Sequence, residues 1–125
     1  MTGKAILSAF IAALVIKFFI LDFMIAEGNS MVPAIKSGAI LTVYKASYGI
    51  RLPGTSTYIL EWGGPKEGDV VIFYTPAGEI AVKRCGESLA DGFYYLFGDN
   101  SSQSYDSRNY GPIAKNHIIG KVLGK

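Results

Sequence analysis

The sequence has 125 residues, half of them hydrophobic, and a formal net charge of +2 at pH 7. This length suits one domain, and the small net charge gives no reason to expect a nucleic-acid partner. Cys85 is the only cysteine, which excludes an intramolecular disulfide. Because the sequence shows no spacing of metal ligands, we expect no metal or other cofactor, and His117 is expected to be structural or exposed.

The N-terminal part of the chain is its most hydrophobic part. Residues 5–26 form a nearly continuous apolar stretch, interrupted by Lys17 and Asp22. As a helix this stretch would be about 33 Å long, enough to cross a hydrocarbon core of roughly 30 Å. A cleavable signal peptide is the alternative, since Lys4 precedes the apolar run, but no small-x-small cleavage site is evident. We predict an uncleaved membrane anchor in residues 1–21 with its N-terminus inside.

After the anchor the pattern changes from helical to extended. Runs of β-branched and aromatic residues bounded by turn signals predict strands at 40–44, 69–74, 79–85, 93–97 and 118–123. The Gly- and Pro-containing stretch 47–64 predicts a loop or irregular hairpin. In it, Trp62 either fills the core, which we favour, or anchors at a membrane interface. No helical period follows the anchor, so residues 22–125 predict a single, mainly β domain.

The candidate nucleophile lies directly behind the apolar run. Ser30 belongs to the segment 27–33, Glu-Gly-Asn-Ser-Met-Val-Pro. Gly28 allows tight or left-handed geometry, and Pro33 disfavours the helical region for the residue before it. The segment therefore predicts a loop that presents the Ser30 hydroxyl. Most loop serines only make a turn hydrogen bond, so a catalytic role also requires a base.

Lys83 is a better candidate for that base than His117, which has no paired acid to orient it. The alternation of a strand places Lys83 on the same face as Ala81 and Cys85. Small, apolar neighbours would desolvate the ammonium group and lower its pKa, as a lysine general base requires. The alternative is an ordinary solvated lysine on a strand.

The segment 27–33 is a first motif and residues 81–84, Ala-Val-Lys-Arg, are a second. A third motif occupies residues 98–108, Gly-Asp-Asn-Ser-Ser-Gln-Ser-Tyr-Asp-Ser-Arg. In this order the three motifs resemble those of the bacterial type I signal peptidases (leader peptidases), Ser-Lys serine proteases that remove signal peptides from exported preproteins. The resemblance runs from about Leu14 to Val122. It implies a compact signal-peptidase-like β domain behind a single transmembrane helix, with no cofactor. It also implies a location in the cell membrane, with the N-terminus cytoplasmic and the catalytic domain extracytoplasmic.

The resemblance further implies roles for single residues. Ser30 would be the nucleophile and Lys83 the general base, while Ser104 would hydrogen-bond the Lys83 amine and aim it at Ser30. The backbone N–H of Ser30 and, because a hydroxyl common in the family is absent here, an N–H near Gly28 would bind the oxyanion. Two ion pairs would fix the backbone around the site: Arg84 with Asp99, and Arg108 with Asp106.

The expected partners are the signal peptides of exported preproteins and membrane lipid. An extended signal-peptide end could add as a strand between the Ser30 segment and the Lys83 strand. From Leu21 to Ser30 the chain spans at most about 30 Å, which keeps Ser30 near the bilayer. The oligomeric state is left open by the sequence.

Several features leave alternatives open. Only residues 85–97 separate Arg84 from Gly98, where many bacterial members carry a large inserted subdomain, so a compact member is expected. A self-cleaving Ser-Lys domain, like the SOS-response repressors, is disfavoured by the anchor and by the lack of a DNA-binding segment. A catalytically silent membrane-tethered scaffold is disfavoured by the joint presence of the three site residues Ser30, Lys83 and Ser104. Cys85 is either a small buried hydrophobe, which we favour, or a thiol at the edge of the substrate groove.

Overall fold

The computed structural model describes residues 2–88 and 92–125. Helix α1 runs from Gly3–Val15 and continues as a π-helical segment over Ile16–Ile20. The Thr2 side chain caps its start by accepting a hydrogen bond from the Ala5 N–H. Residues 3–20 together form a helix that is long and apolar enough to cross a membrane, and none of it is buried against the rest of the protein. The predicted N-terminal apolar helix is confirmed, although it ends one residue before the expected boundary.

The described residues beyond this helix are mainly β. The strands are β1 Leu21–Ile25, β2 Ile40–Tyr44, β3 Gly49–Arg51, β4 Tyr58–Glu61, β5 Val70–Tyr74, β6 Ile80–Ser88, β7 Phe93–Phe97, β8 Ile113–Ala114 and β9 Ile118–Val122. Seven of them form one antiparallel sheet in the order β1-β2-β9-β5-β6-β7-β8, and β3 pairs with β4 in a separate two-stranded ribbon. A short helix, α2, spans Ser107–Tyr110.

The mainly β prediction is confirmed, with two corrections. Strand β1 was not expected, because its apolar residues continue the hydrophobic pattern of the helix. It pairs in register with β2, with Leu21 opposite Tyr44 and Ile25 opposite Ile40. The preferred interpretation of Trp62 as core filling is wrong, because 55% of this residue is exposed. Because tryptophan is amphipathic, its presence in a sequence does not show whether the side chain will be buried or exposed.

Strand β5 lies at the centre of the sheet and is buried on both faces. Because side chains alternate along a strand, Val70 and Ile72 enter one hydrophobic core while Val71 and Phe73 enter another. Burying each such side chain contributes about 1.5–3 kcal/mol. The first core also contains Met31, directly after Ser30, and the second contains Cys85, two residues after Lys83. The serine and lysine segments are thus each fixed by a different core.

Candidate active site

The structure brings Ser30 and Lys83 into direct contact. The Lys83 Nζ donates a hydrogen bond to the Ser30 Oγ at 2.8 Å, across 53 positions of the sequence. Only 6% of Lys83 is exposed. Burial lowers the pKa of the Lys83 ammonium because it disfavours the charged form. The negative charge of Asp106 opposes this effect in part, and the positive charge of Arg108 adds to it.

Strand register explains why Lys83 is buried. Lys83 lies opposite Val71 on β5, so its side chain leaves the sheet on the face of the second core. Ala81 packs against that core and Cys85 lies inside it, as the alternation of the sequence predicts. Burial raises the pKa of the Cys85 thiol to about 11, so the thiol stays protonated and unreactive at neutral pH. Cys85 is therefore the buried hydrophobe of the favoured interpretation and not a thiol at a groove edge.

The serine loop is fixed by the third motif. The Asn100 backbone N–H donates a hydrogen bond to the Ser30 carbonyl at 2.8 Å, and the Asn100 side-chain amide donates one to the Asn29 carbonyl at 3.0 Å. The Asp99 N–H contacts the Met31 sulfur at 3.4 Å. The contacts of Asn100 were not anticipated, because an asparagine in a turn motif gives no sign of a partner 70 positions away.

Asp106 is the most heavily bonded side chain near the site, and it is fully buried. Its carboxylate accepts hydrogen bonds from the Ser104 hydroxyl at 2.6 Å, the Gly98 N–H at 2.8 Å and the Arg108 N–H at 3.0 Å. The Arg108 guanidinium adds an ion pair of 2.5 Å. Burial alone would raise the pKa of Asp106, but these donors outweigh it and hold the pKa below its usual range.

Ser104 differs from its expected role. Its hydroxyl donates to Asp106, and within the described part of the chain it forms no hydrogen bond with Lys83. A serine hydroxyl can donate only one hydrogen bond. The buried Asp106 carboxylate is a strong acceptor that needs donors, so it takes that hydrogen bond. The Ser104 hydroxyl is therefore tied to Asp106.

Both expected ion pairs are present. Besides Arg108 with Asp106, Arg84 forms a two-pronged pair with Asp99, with Nε–Oδ1 and Nη2–Oδ2 distances of 2.8 Å each. The Arg84 guanidinium also donates to the Gly68 carbonyl at 2.9 Å. This second pair joins β6, which carries Lys83, to the start of the third motif.

Gly98 is a site residue that the sequence pattern did not single out beyond a turn. A methyl group at its Cα would collide with the Ser104 side chain and lie 2.7 Å from the Ser30 carbonyl oxygen. The serine loop and the third motif therefore approach each other over a position where only glycine fits. A close approach of this kind depends on the fold and leaves no trace in local sequence.

Two clefts meet at the Ser30–Lys83 contact. The first, called the apolar cleft here, has a volume of about 380 Å³ and runs between the segment before Ser30 and strand β6. The second, the tyrosine cleft, has a volume of about 570 Å³. The apolar cleft is lined by residues 24–27, Ser30, Leu41, Ile72 and 80–83. The tyrosine cleft is lined by residues 28–30, 75–77, Glu79, Ala81, Lys83, Gln103, Tyr105 and Tyr110.

His117 lines neither cleft. It lies in the 3-10 turn Lys115–His117 before β9 and borders a separate depression beside the turn after β5. Over residues 2–88 and 92–125, no group of three or more His, Cys, Asp or Glu side chains is arranged to hold a metal ion.

Comparison with known proteins places the chain in a family. The family described as "Signal peptidase, peptidase S26" matches residues 1–87 and 80–124. Signal peptidase I of Pseudomonas fluorescens is 38% identical over 75 residues, covering 60% of this chain and 26% of that protein. Signal peptidase I of Helicobacter pylori strain J99 is 29% identical over 136 residues, covering 90% and 47%.

A Bacillus subtilis relative, signal peptidase I T, is 28% identical over 166 residues, covering 94% of this chain and 80% of that protein. The chain thus spans about a quarter of the Pseudomonas protein and about half of the Helicobacter protein. The family match covers nearly every position, including all three motifs. The chain belongs to the signal peptidase family, peptidase S26.

Proposed function

We propose that the protein is a membrane-anchored serine endopeptidase that removes N-terminal signal peptides from exported preproteins. Ser30 acts as the nucleophile and the neutral amine of Lys83 as the general base. The observation that carries this proposal is the 2.8 Å hydrogen bond from Lys83 to Ser30 at a position where burial lowers the lysine pKa. A serine attacks a peptide carbonyl only when a nearby base removes its proton, and this contact supplies one.

The geometry supports a two-step mechanism. Lys83 takes the Ser30 proton as Oγ attacks the scissile carbonyl, and then gives a proton to the leaving amine. Water attacks the resulting acyl-enzyme, with Lys83 again acting as base. The oxyanion binds to the backbone N–H groups of Ser30 and Gly28, neither of which donates a hydrogen bond to another protein group within the described ranges.

Substrate binding follows from an unpaired strand edge. Residues 80–83 of β6 pair with β5 along one edge, whereas β7 pairs with β6 only from Arg84 onwards. Among the described strands, none covers the other edge of residues 80–83. An extended signal-peptide end adds there by main-chain hydrogen bonds, and its side chains before the cut enter the apolar cleft.

The proposed division of the chain is a membrane anchor in residues 1–21 and a peptidase domain in residues 22–125. The anchor crosses the cell membrane once, with the N-terminus cytoplasmic and the domain outside. Contact with lipid is supported by the exposed apolar side chains Ile59, Leu60 and Trp62 on and beside β4. One cavity is lined by Phe18 and Phe19 at the end of the helix and by Leu52 in the loop between β3 and β4. This ribbon therefore lies close to the anchor.

The test is cleavage of a preprotein added in trans, with N-terminal sequencing of the product. Ser30→Ala and Lys83→Met should each abolish cleavage without unfolding the protein, and the double variant should be no worse than either, because the two residues act as one unit. The rate should rise with pH through the lowered pKa of Lys83.

His117→Ala is the control and should retain activity. Activity that persists in Lys83→Met, or that depends on His117, would contradict the assignment. Cleavage of its own chain only would favour the self-cleaving alternative, and the absence of any cleavage would favour the silent scaffold.

A further inference from the structure

The tyrosine cleft has no role in the mechanism above, although it opens directly at the catalytic pair. It shares only Ser30, Ala81 and Lys83 with the apolar cleft. Its lining includes two tyrosines, an asparagine, a threonine and a glutamine, residue types absent from the lining of the apolar cleft, where aliphatic side chains predominate. The two clefts therefore offer different surroundings on the two sides of the attacking oxygen.

The apolar cleft is the one that faces the anchor. It shares Met24 and Ile80 with the cavity that contacts Phe18 and Phe19, while the tyrosine cleft shares no residue with that cavity. The hydrophobic core of a signal peptide precedes its cut and lies in the membrane. Residues before the cut therefore occupy the apolar cleft, and the chain beyond the cut leaves on the other side.

The side chains of the tyrosine cleft suit a peptide segment. Tyr105 is 71% exposed and stands edge-on to Tyr110, with ring centroids 5.4 Å apart. The buried hydroxyl of Tyr110 has no hydrogen-bond partner among the described residues. Burial raises the pKa of Tyr110 to about 12, so this hydroxyl remains a donor at neutral pH. Glu79 adds a carboxylate that forms no ion pair with another described residue.

We propose that the tyrosine cleft binds the first residues after the scissile bond and that Tyr105 and Glu79 select among them. This inference rests on the proposed function. An aromatic face and a carboxylate both attract a cation, so lysine or arginine after the cut is favoured and glutamate or aspartate is disfavoured.

The experiment compares pairs of preprotein peptides that differ only in having lysine or glutamate just after the cut. Wild-type protein should prefer lysine in kcat/KM by about two- to fivefold, the range given by exposed charge pairs and cation–π contacts. Glu79→Gln and Tyr105→Ala should each move this ratio towards one. Tyr105→Phe should keep the wild-type ratio, because it keeps the ring.

Glu67→Gln is the matched control. It removes the same charge from an exposed residue that precedes β5. Glu67 and Glu79 lie at opposite ends of the β5–β6 pair, so Glu67 is far from the tyrosine cleft. A wild-type ratio of one, or a ratio that neither variant changes, would overturn the proposal while leaving cleavage itself intact.

A binding measurement keeps this test separate from that of the proposed function. The Ser30→Ala protein should bind a peptide extended four residues beyond the cut more tightly than one that stops at the cut. Tyr105→Ala in that background should reduce the difference. Equal affinities for the two peptides would refute the cleft assignment even if no peptide were cleaved.

Discussion

Two carboxylate–guanidinium pairs flank the proposed catalytic residues, and they differ in how much water reaches the carboxylate. The Asp106 carboxylate is fully buried, whereas its partner Arg108 is 42% exposed. The carboxylate also accepts hydrogen bonds from Ser104 and Gly98 and so ties these two loop positions to helix α2. In the Arg84–Asp99 pair both side chains are partly exposed, at 31% and 21%. The two pairs contain the same chemical groups, but we expect them to contribute differently to the stability of the fold. A buried carboxylate must keep all its donors, whereas an exposed pair exchanges its contacts readily for water.

The largest effect expected from this contrast is that of Asp106→Ala. It leaves the buried N–H of Gly98 and the Ser104 hydroxyl without an acceptor, and it should lower the free energy of unfolding by about 3–5 kcal/mol. Urea denaturation gives this value, and preprotein cleavage should fall with it. A loss no greater than that of Asp99→Ala would abolish the distinction between the two pairs.

Gly98→Ala should have the next largest effect, because Gly98 lies between the two pairs and contacts both Ser104 and the serine loop. The added methyl group forces these segments apart, at a cost of about 1–3 kcal/mol in unfolding free energy. Activity should fall more than stability does, since the shift moves Ser30 relative to Lys83. Gly63→Ala is the control, because that glycine, like Gly98, has no positive φ but has open space around it. Similar loss of activity in both variants would argue against a role for close approach at Gly98.

The contrast also predicts a pH dependence. The pKa of Asp106 is lower in the folded protein than its unfolded value of about 3.8. The Asp106 carboxylate therefore contributes its full stabilisation of the folded state above about pH 3.8. This stabilisation is lost as the pH falls below that value, by up to about 1.4 kcal/mol per pH unit. Wild-type protein and Asp106→Asn should converge in stability in this acid range. Parallel curves for the two proteins would place the titrating group elsewhere.

The smallest effect is expected for Asp99→Asn. An exposed pair contributes about 0.2–1 kcal/mol, and salt should weaken it further. The measurement is urea denaturation at low and at high salt, with Arg84→Gln as the partner variant. A salt-independent loss of several kcal/mol would mean that the pair is as important to the fold as Asp106.

The sequence predicted regular elements better than it predicted contacts. The bounds of β2 and β7 match the expected strands because β-branched and aromatic residues there are bounded by turn residues. Strand β1 could not be separated from the helix, since a membrane segment and a half-exposed strand are both apolar. The helix ends only where Leu21 finds a pairing partner in β2, and this is a tertiary event.

For the candidate site, the sequence predicted residues but not all of the contacts that those residues make. Ser30 and Lys83 could be named because their motifs are local and ordered along the chain. The Ser104 bond to Asp106, the fit of Gly98 and the Asn100 contact with Ser30 all depend on distances between segments far apart in sequence. Such contacts are fixed by packing, which local sequence patterns do not encode.

The distance along the chain between Ser30 and Lys83 has a consequence for timing. A polypeptide that has been synthesised or moved through a membrane only as far as residue 82 contains the Ser30 hydroxyl but not the Lys83 amine. The residues between them include β2 and β5, so the pair forms only after the centre of the sheet has assembled. In the proposed mechanism an incompletely folded chain therefore lacks its general base, and completion of the fold is what brings the base to the nucleophile.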